Sequence, residues 1–90
     1  MDTEMLRWAE RQAERYQILT NPRRVLIIRA LVEREMSVGE IAAQVGVSMQ
    51  NTSQHLRLMK ARGILGSRRE GQTIYYWIAD PAWLTNLGLA

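Results

Sequence analysis

The chain contains no cysteine and no phenylalanine, and its single histidine, single lysine and two prolines are spread over 90 residues. Without cysteine there are no disulfides, no thiolate metal ligands and no thiol redox sensing. One histidine without a paired acid, and no glycine-rich phosphate loop, leave neither a nucleophile with its base nor a nucleotide cradle. No catalytic residue is therefore expected, and no enzyme. No apolar run approaches the roughly 20 residues of a membrane span, and no secretory leader opens the chain. The reading is a cytoplasmic protein with no membrane partner. Ninety residues at 47% hydrophobic content, with no repeat or low-complexity tract, make one domain over residues 1–90. A chain of this size buries only about 60–65% of its unfolded surface, so it gains from a partner subunit.

What is present is concentrated in residues 37–62, SVGEIAAQVGVSMQNTSQHLRLMKAR. Ser37 and Glu40 form an S-x-x-E capping box, in which each side chain satisfies the other residue's backbone N–H. Val38, Ile41, Ala42 and Val45 then recur at helical steps, and Gly46 stands where a helix ends in a left-handed residue. Ser48 can cap a second helix with Thr52, Leu56 and Met59 on its buried side and His55 beside them; Gly63 ends it. Its outer face carries Gln50, Asn51, Gln54 and Arg57. Amides pair bidentately with adenine and arginine with guanine in the major groove, so this is the composition of a recognition helix. Small helical domains that merely solvate a surface show the same pattern, and the flanking sequence has to decide.

Downstream the period changes. Ile74, Tyr76 and Ile78 alternate with Thr73, Tyr75 and Trp77, which is a strand, and Leu65 to Arg69 can pair with it across a Glu70-Gly71-Gln72 tip. The expectation is a two-stranded wing over residues 64–78, with Arg68, Arg69, Gln72 and Thr73 as candidate DNA contacts. Arginines on such a hairpin can lie along phosphates, although an arginine pair also serves simply to blunt an edge strand. Charge supports the first use. Gly46 to Ile78 holds five basic residues and one acid, whereas residues 1–45 hold seven of each sign. The net +3 therefore comes from the presumed binding half.

Residues 1–20 and 80–90 read as terminal helices. The first places Met5, Ala9, Ala13, Tyr16 and Leu19 on one side with Trp8 at its margin. Asn21-Pro22 caps and starts a core helix to about Glu33 that buries Val25, Leu26, Ile28, Leu31 and Val32. Asp80-Pro81 repeats that start before Trp83, Leu84 and Leu87. A small domain does not easily bury both terminal apolar faces, so Met5, Trp8, Ala9, Ala13, Tyr16, Trp83, Leu84 and Leu87 are the expected homodimer contacts. The tryptophans and tyrosines can also line a pocket for an unidentified small-molecule effector between these helices. The fold class is mostly α with a small β-hairpin: a winged helix-turn-helix of about five helices and a two-stranded wing.

From Leu19 to about Ile78 the sequence resembles the ArsR/SmtB family of prokaryotic winged-helix regulators. The N-P-R-R-V-L-I-I opening of the second helix, VS followed by S-Q-H-L in the fourth, the A-R-G-I-L exit and the R-R-E-G-Q-T-I-Y-Y wing carry the likeness. The resemblance implies homodimers packed through the first and last helices, fourth helices in successive major grooves of an imperfect palindrome, and repression of transcription. It places Met49, Gln50, Asn51, Ser53 and Gln54 at the DNA-reading positions and His55 at the family's H-L histidine; with the cap Ser48 and the outer-face Arg57 these are the candidate DNA contacts of the helix. It also exposes departures. Where metal-sensing members keep cysteines in the third helix, this chain has Ser37 and Gly39, and residues 80–90 offer Asp80 but no histidine for a zinc or nickel site. Thr52 stands where an aliphatic residue is usual. No metal and no cofactor are expected. The competing readings are a winged-helix protein-interaction module, which would call for a neutral or acidic wing, and a non-specific architectural DNA binder.

Overall fold

A computed structural model describes all 90 residues, Met1–Ala90. The order is α1 (Thr3–Gln17), a 3₁₀ turn (Ile18–Thr20), α2 (Pro22–Ala30), β1 (Met36–Ser37), α3 (Val38–Val45), α4 (Met49–Ala61), β2 (Leu65–Glu70), β3 (Thr73–Ile78) and α5 (Ala82–Asn86). Local chemistry marks most of these boundaries. The Asp2 side chain accepts from the Glu4 N–H at the start of α1, and Asn21 accepts from the Arg23 N–H ahead of Pro22. The Ser37–Glu40 capping box forms with both of its hydrogen bonds, and Ser48 accepts from the Asn51 N–H. Gly46, at φ 68°, adopts the left-handed conformation that closes α3 and turns the chain into α4.

The helix-turn-helix thus spans the expected residues, and α4 buries Thr52, Leu56 and Met59 as read from its periodicity. α2 differs. It stops at Ala30 rather than near Glu33, and its fully buried residues are Ile27 and Ile28, while Leu26 is 38% exposed. Four consecutive apolar residues, Val25 to Ile28, leave helical periodicity nothing with which to choose a face. The last helix is also shorter than expected, five residues, started by Asp80 accepting from the Ala82 N–H at 3.0 Å.

The wing is an antiparallel hairpin in register from Leu65↔Ile78 to Glu70↔Thr73, with Gly71 and Gln72 at its tip. The expected two strands become a three-stranded sheet in the order β1-β3-β2, because Met36 and Ser37 pair with Tyr76 and Tyr75. A two-residue strand has no alternation to read. Its contribution is nonetheless structural: Met36, with Leu65 and Tyr76, closes the sheet face onto Ile27, Ile41 and Leu56 of the helices.

α1 buries no residue at all. The protomer measures 49 × 25 × 20 Å with a Cα radius of gyration of 14.3 Å. A compact chain of this length would have about 12 Å. The excess lies in α1, whose first nine residues are all exposed and run beyond the core.

Candidate nucleic-acid interface

The serine cap and the left-handed Gly46 present the start of α4 at the surface beside the wing. Ser48, Met49, Gln50, Asn51, Gln54 and Arg57 are exposed, and Ser53 and His55 are half-buried. A cleft of about 640 Å³ separates helix from wing, lined by Met49, Gln50, Ser53 and Arg57 on one side, Gln72, Thr73 and Ile74 on the other, and Ser37 to Gly39 at its end. Recognition helix and wing tip therefore share one groove. Asn51 and Gln54 are exposed on α4 outside that lining, and the Ser48 hydroxyl is occupied by the Asn51 N–H at 3.1 Å.

His55 accepts a hydrogen bond at Nδ1 from Arg24 Nε, at 3.3 Å. Burial, and then the Arg24 charge, hold its pKa below the ordinary histidine value. The ring is neutral at pH 7, and with Nδ1 accepting, its proton sits on Nε2.

The two wing arginines go to different places. Side chains alternate along a strand, so Arg68 shares a face with Tyr75, and Arg69 with Ile74. The Arg68 guanidinium lies 4.6 Å from the Tyr75 ring centroid and pairs with Glu35 and, at 2.8 Å, with Glu70. Those two carboxylates, Glu35 first, raise its pKa further. Arg69 has no side-chain hydrogen bond or ion pair, and neither has Arg57. Arg62 is drawn back to α1, donating to the Glu14 carbonyl at 2.9 Å, and Lys60 donates to Ser67 Oγ at 2.7 Å. Glu35 went unrecognised as an Arg68 partner because it precedes the strand that the sequence did not reveal.

At the terminal helices, Met5 is 65% exposed, Trp8 60% and Tyr16 41%, with Ala9 and Ala13 also exposed. Leu6, which the stripe omitted, is 46% exposed beside them. Trp83 is a correction: at 1% exposure it is sealed into its own protomer's core and has no surface to offer a partner. Tyr16 lies on it at 5.4 Å between ring centroids, and the Arg15 guanidinium sits 5.1 Å from the Trp83 ring while pairing with Asp80 at 3.2 Å. Leu84 and Leu87 are half-buried against the same core. Tyr16 and Trp83 thus pack on one another instead of lining an effector pocket. No three His, Cys, Asp or Glu side chains lie together in a way that could hold a metal ion, and no helix is long and apolar enough to cross a membrane.

Comparison with known proteins gives the same outline. The chain is 44% identical over 70 residues to the nodulation protein NolR of Rhizobium meliloti, a match covering 78% of this chain and 57% of that protein. It spans about 57–62% of the length of the first curated relatives it matches. The crystal structure of NolR from Sinorhizobium fredii superposes with a TM-score of 0.90 at 38% identity, covering 98% of this chain and 88% of that one. The homodimeric winged helix-turn-helix DNA-binding domain of a possible ArsR-family regulator from Mycobacterium bovis superposes at 0.83 and 28% identity, covering 99% and 82%. Residues 21–67, which hold α2, the helix-turn-helix and the start of the wing, match the model for bacterial regulatory proteins of the arsR family. The chain belongs to that family.

Proposed function

We propose that the protein is a sequence-specific transcriptional regulator, a cytoplasmic repressor without enzymatic activity that binds an imperfect palindrome of double-stranded DNA as a homodimer. The observation that carries this reading is the α4 surface. Gln50 and Arg57 stand at a groove shared with the wing tip, and Asn51 and Gln54 are exposed on the same helix outside it; an inserted helix meets base edges while cations on the wing meet phosphates. The homodimer is supported by α1. A 15-residue helix that buries nothing is marginal in water by itself, and an isologous contact with a second copy covers Met5, Leu6 and Trp8. A small-molecule effector belongs to the same proposal. A cleft of about 610 Å³ lined by Leu26, Ala30, Val32, Met36 and Leu89 under Arg29 and Arg34 has the size of a ligand pocket.

Selection of bound sequences from random DNA, followed by titration of the selected and scrambled duplexes at fixed salt, tests the function. A regulator prefers the selected site by a factor of about 10³ or more. Gln54→Ala should erode that preference, and Arg69→Ala should weaken both duplexes together. Equal affinity for all sequences would make the protein an architectural binder, and no DNA binding would make it a protein-interaction module. Sedimentation at micromolar concentration showing monomer alone would overturn the dimer, and screening metabolites for release of bound DNA tests the effector.

A further inference from the structure

The N-P-R-R segment that opens α2 has no part in the groove just described, yet its two arginines reach both helices of the helix-turn-helix. Arg23 Nη1 donates to the Val45 carbonyl at 2.6 Å. That carbonyl ends α3, immediately before the left-handed Gly46, and a Cβ at Gly46 would come within 3.6 Å of the same guanidinium nitrogen. A helix's last carbonyls lack intrahelical partners and carry the negative end of its dipole, so a cation there holds the end of α3 in place. One residue on, Arg24 Nε donates to Nδ1 of His55 in the second turn of α4. Both contacts are partly buried, and each crosses from α2 to an element 22 or 31 residues away.

We propose that Arg23 and Arg24 are positioning residues that set the angle of α4 against α3, and so the sequence discrimination of the protein, without touching DNA themselves. The inference rests on the DNA-reading function proposed above. Two bonds from adjacent residues of one helical turn fix two points, the end of α3 and the body of α4, against a common support. The Thr52-Leu56-Met59 face seats α4 on the core, and the two polar bonds add direction to that apolar packing across the turn at Gly46. Base-edge contacts need their donors and acceptors placed to a fraction of an ångström, whereas attraction to phosphates survives a tilt. Loss of the bonds should therefore lower discrimination more than bulk affinity.

Arg24 allows a clean test, because its donor is Nε. Arg24→Gln places an uncharged amide nitrogen at the same distance along the side chain, and Arg24→Met keeps the length with neither donor nor charge. Both variants and the parent are titrated with the best selected duplex and with random-sequence DNA across a salt series, with thermal melting as a check on folding. The expected result is that Arg24→Met lowers the ratio of selected to random affinity about fivefold or more, while Arg24→Gln keeps most of it. The salt slope should be the same for the two. A phosphate-contacting Arg24 gives the opposite pattern, an equal loss on every sequence and a flatter slope in both variants. That pattern would overturn the inference, as would an unchanged ratio in Arg24→Met. A parent protein that shows no preference for any selected duplex would overturn the DNA reading itself, and the inference with it. If Arg24→Met melts far below the parent, Arg24→Gln combined with His55→Phe decides: the amide rescue must vanish when its acceptor is removed.

Discussion

Thr52 sits in the first turn of α4 with its side chain fully buried, and its hydroxyl is the one buried side-chain polar atom without a hydrogen-bond partner. An unpaired hydroxyl moved from water into a protein interior costs about 1–3 kcal/mol. Thr52→Val replaces it with a methyl group of nearly the same volume and keeps the β-branch, so neither cavity nor rotamer change opposes the gain. We expect a stabilisation of about 1 kcal/mol, a rise of roughly 4–8 °C in Tm for a domain of this size. Thr52→Ser provides the opposite control. It keeps the hydroxyl and deletes a buried methyl, and should cost about 1 kcal/mol. The assay is urea unfolding at one protein concentration, since the midpoint of the proposed dimer would depend on concentration; the midpoint should move while m does not. DNA affinity should stay unchanged, because Thr52 faces away from the groove lined by Gln50 and Ser53. The refuting result is a Thr52→Val protein less stable than the parent by about 1 kcal/mol. It would mean that the hydroxyl donates to a backbone carbonyl such as that of Ser48 one turn back, a common bond of helical threonine.

Other perturbations test the wing and the histidine. Glu35→Gln removes one of the two carboxylates held by Arg68, so non-specific DNA affinity should rise and its salt dependence steepen by up to about 0.9 per protomer in log–log slope; an unchanged slope in filter binding would show that Glu70 and Tyr75 retain the guanidinium. A Cβ on Gly66 would lie 2.6 Å from the Trp77 ring, so Gly66→Ala should cost about 1–3 kcal/mol in chemical unfolding and the loss should shrink in a Trp77→Leu background; additive losses would argue against the clash. Since the native pKa of His55 is lowered, the unfolded chain binds more protons there as the pH falls. The stability tied to His55 is full above its ordinary value of about 6.5 and is lost as pH drops through the lowered native value; His55→Gln should flatten this part of the pH–stability curve, and an identical curve would contradict the assignment.

The parts of this molecule that were legible in its sequence are those whose causes are local. The capping box at Ser37, the glycine at 46, the serine at 48 and the Thr52-Leu56-Met59 stripe each act within one or two helical turns, and the structure places all of them as read. The β3 strand was legible because all six of its residues are β-branched or aromatic. What escaped depends on partners distant in the chain. β1 exists only because Met36 and Ser37 meet Tyr76 and Tyr75 across some 40 residues, and two residues carry no period. The buried face of α2 depends on where α3 and the 3₁₀ turn lie, so a run of four apolar residues could not disclose that Ile27, and not Leu26, turns inward. Trp83 looked like an interface residue because a short terminal helix has one apolar face; that face is met by Tyr16, Arg15 and the core of its own protomer. The helix-turn-helix that carries the proposed DNA-reading surface was therefore open to sequence reasoning, and the ion pairs that occupy its neighbouring cations were not.

Those pairs sharpen the electrostatics of the proposed function into a number. From Gly46 to Ile78 the sequence offers Arg57, Lys60, Arg62, Arg68 and Arg69. Arg62 is held by Glu14, and Arg68 by Glu35 and Glu70. Arg57, Lys60 and Arg69 pair with no acid and belong to α4 and the adjoining strand. Each neutralised phosphate contributes about −0.9 to the slope of log affinity against log salt on duplex DNA. A homodimer using three cations per protomer should then show a slope near about −5, whereas one using all five would approach about −9. A measured slope at the steeper value would show that Arg62 and Arg68 leave their carboxylates on binding, making those ion pairs a free-energy cost of DNA association instead of fixed parts of the fold. A slope near the shallower value, steepening in Glu35→Gln, would show that the wing keeps one arginine for its own architecture and gives the other to DNA.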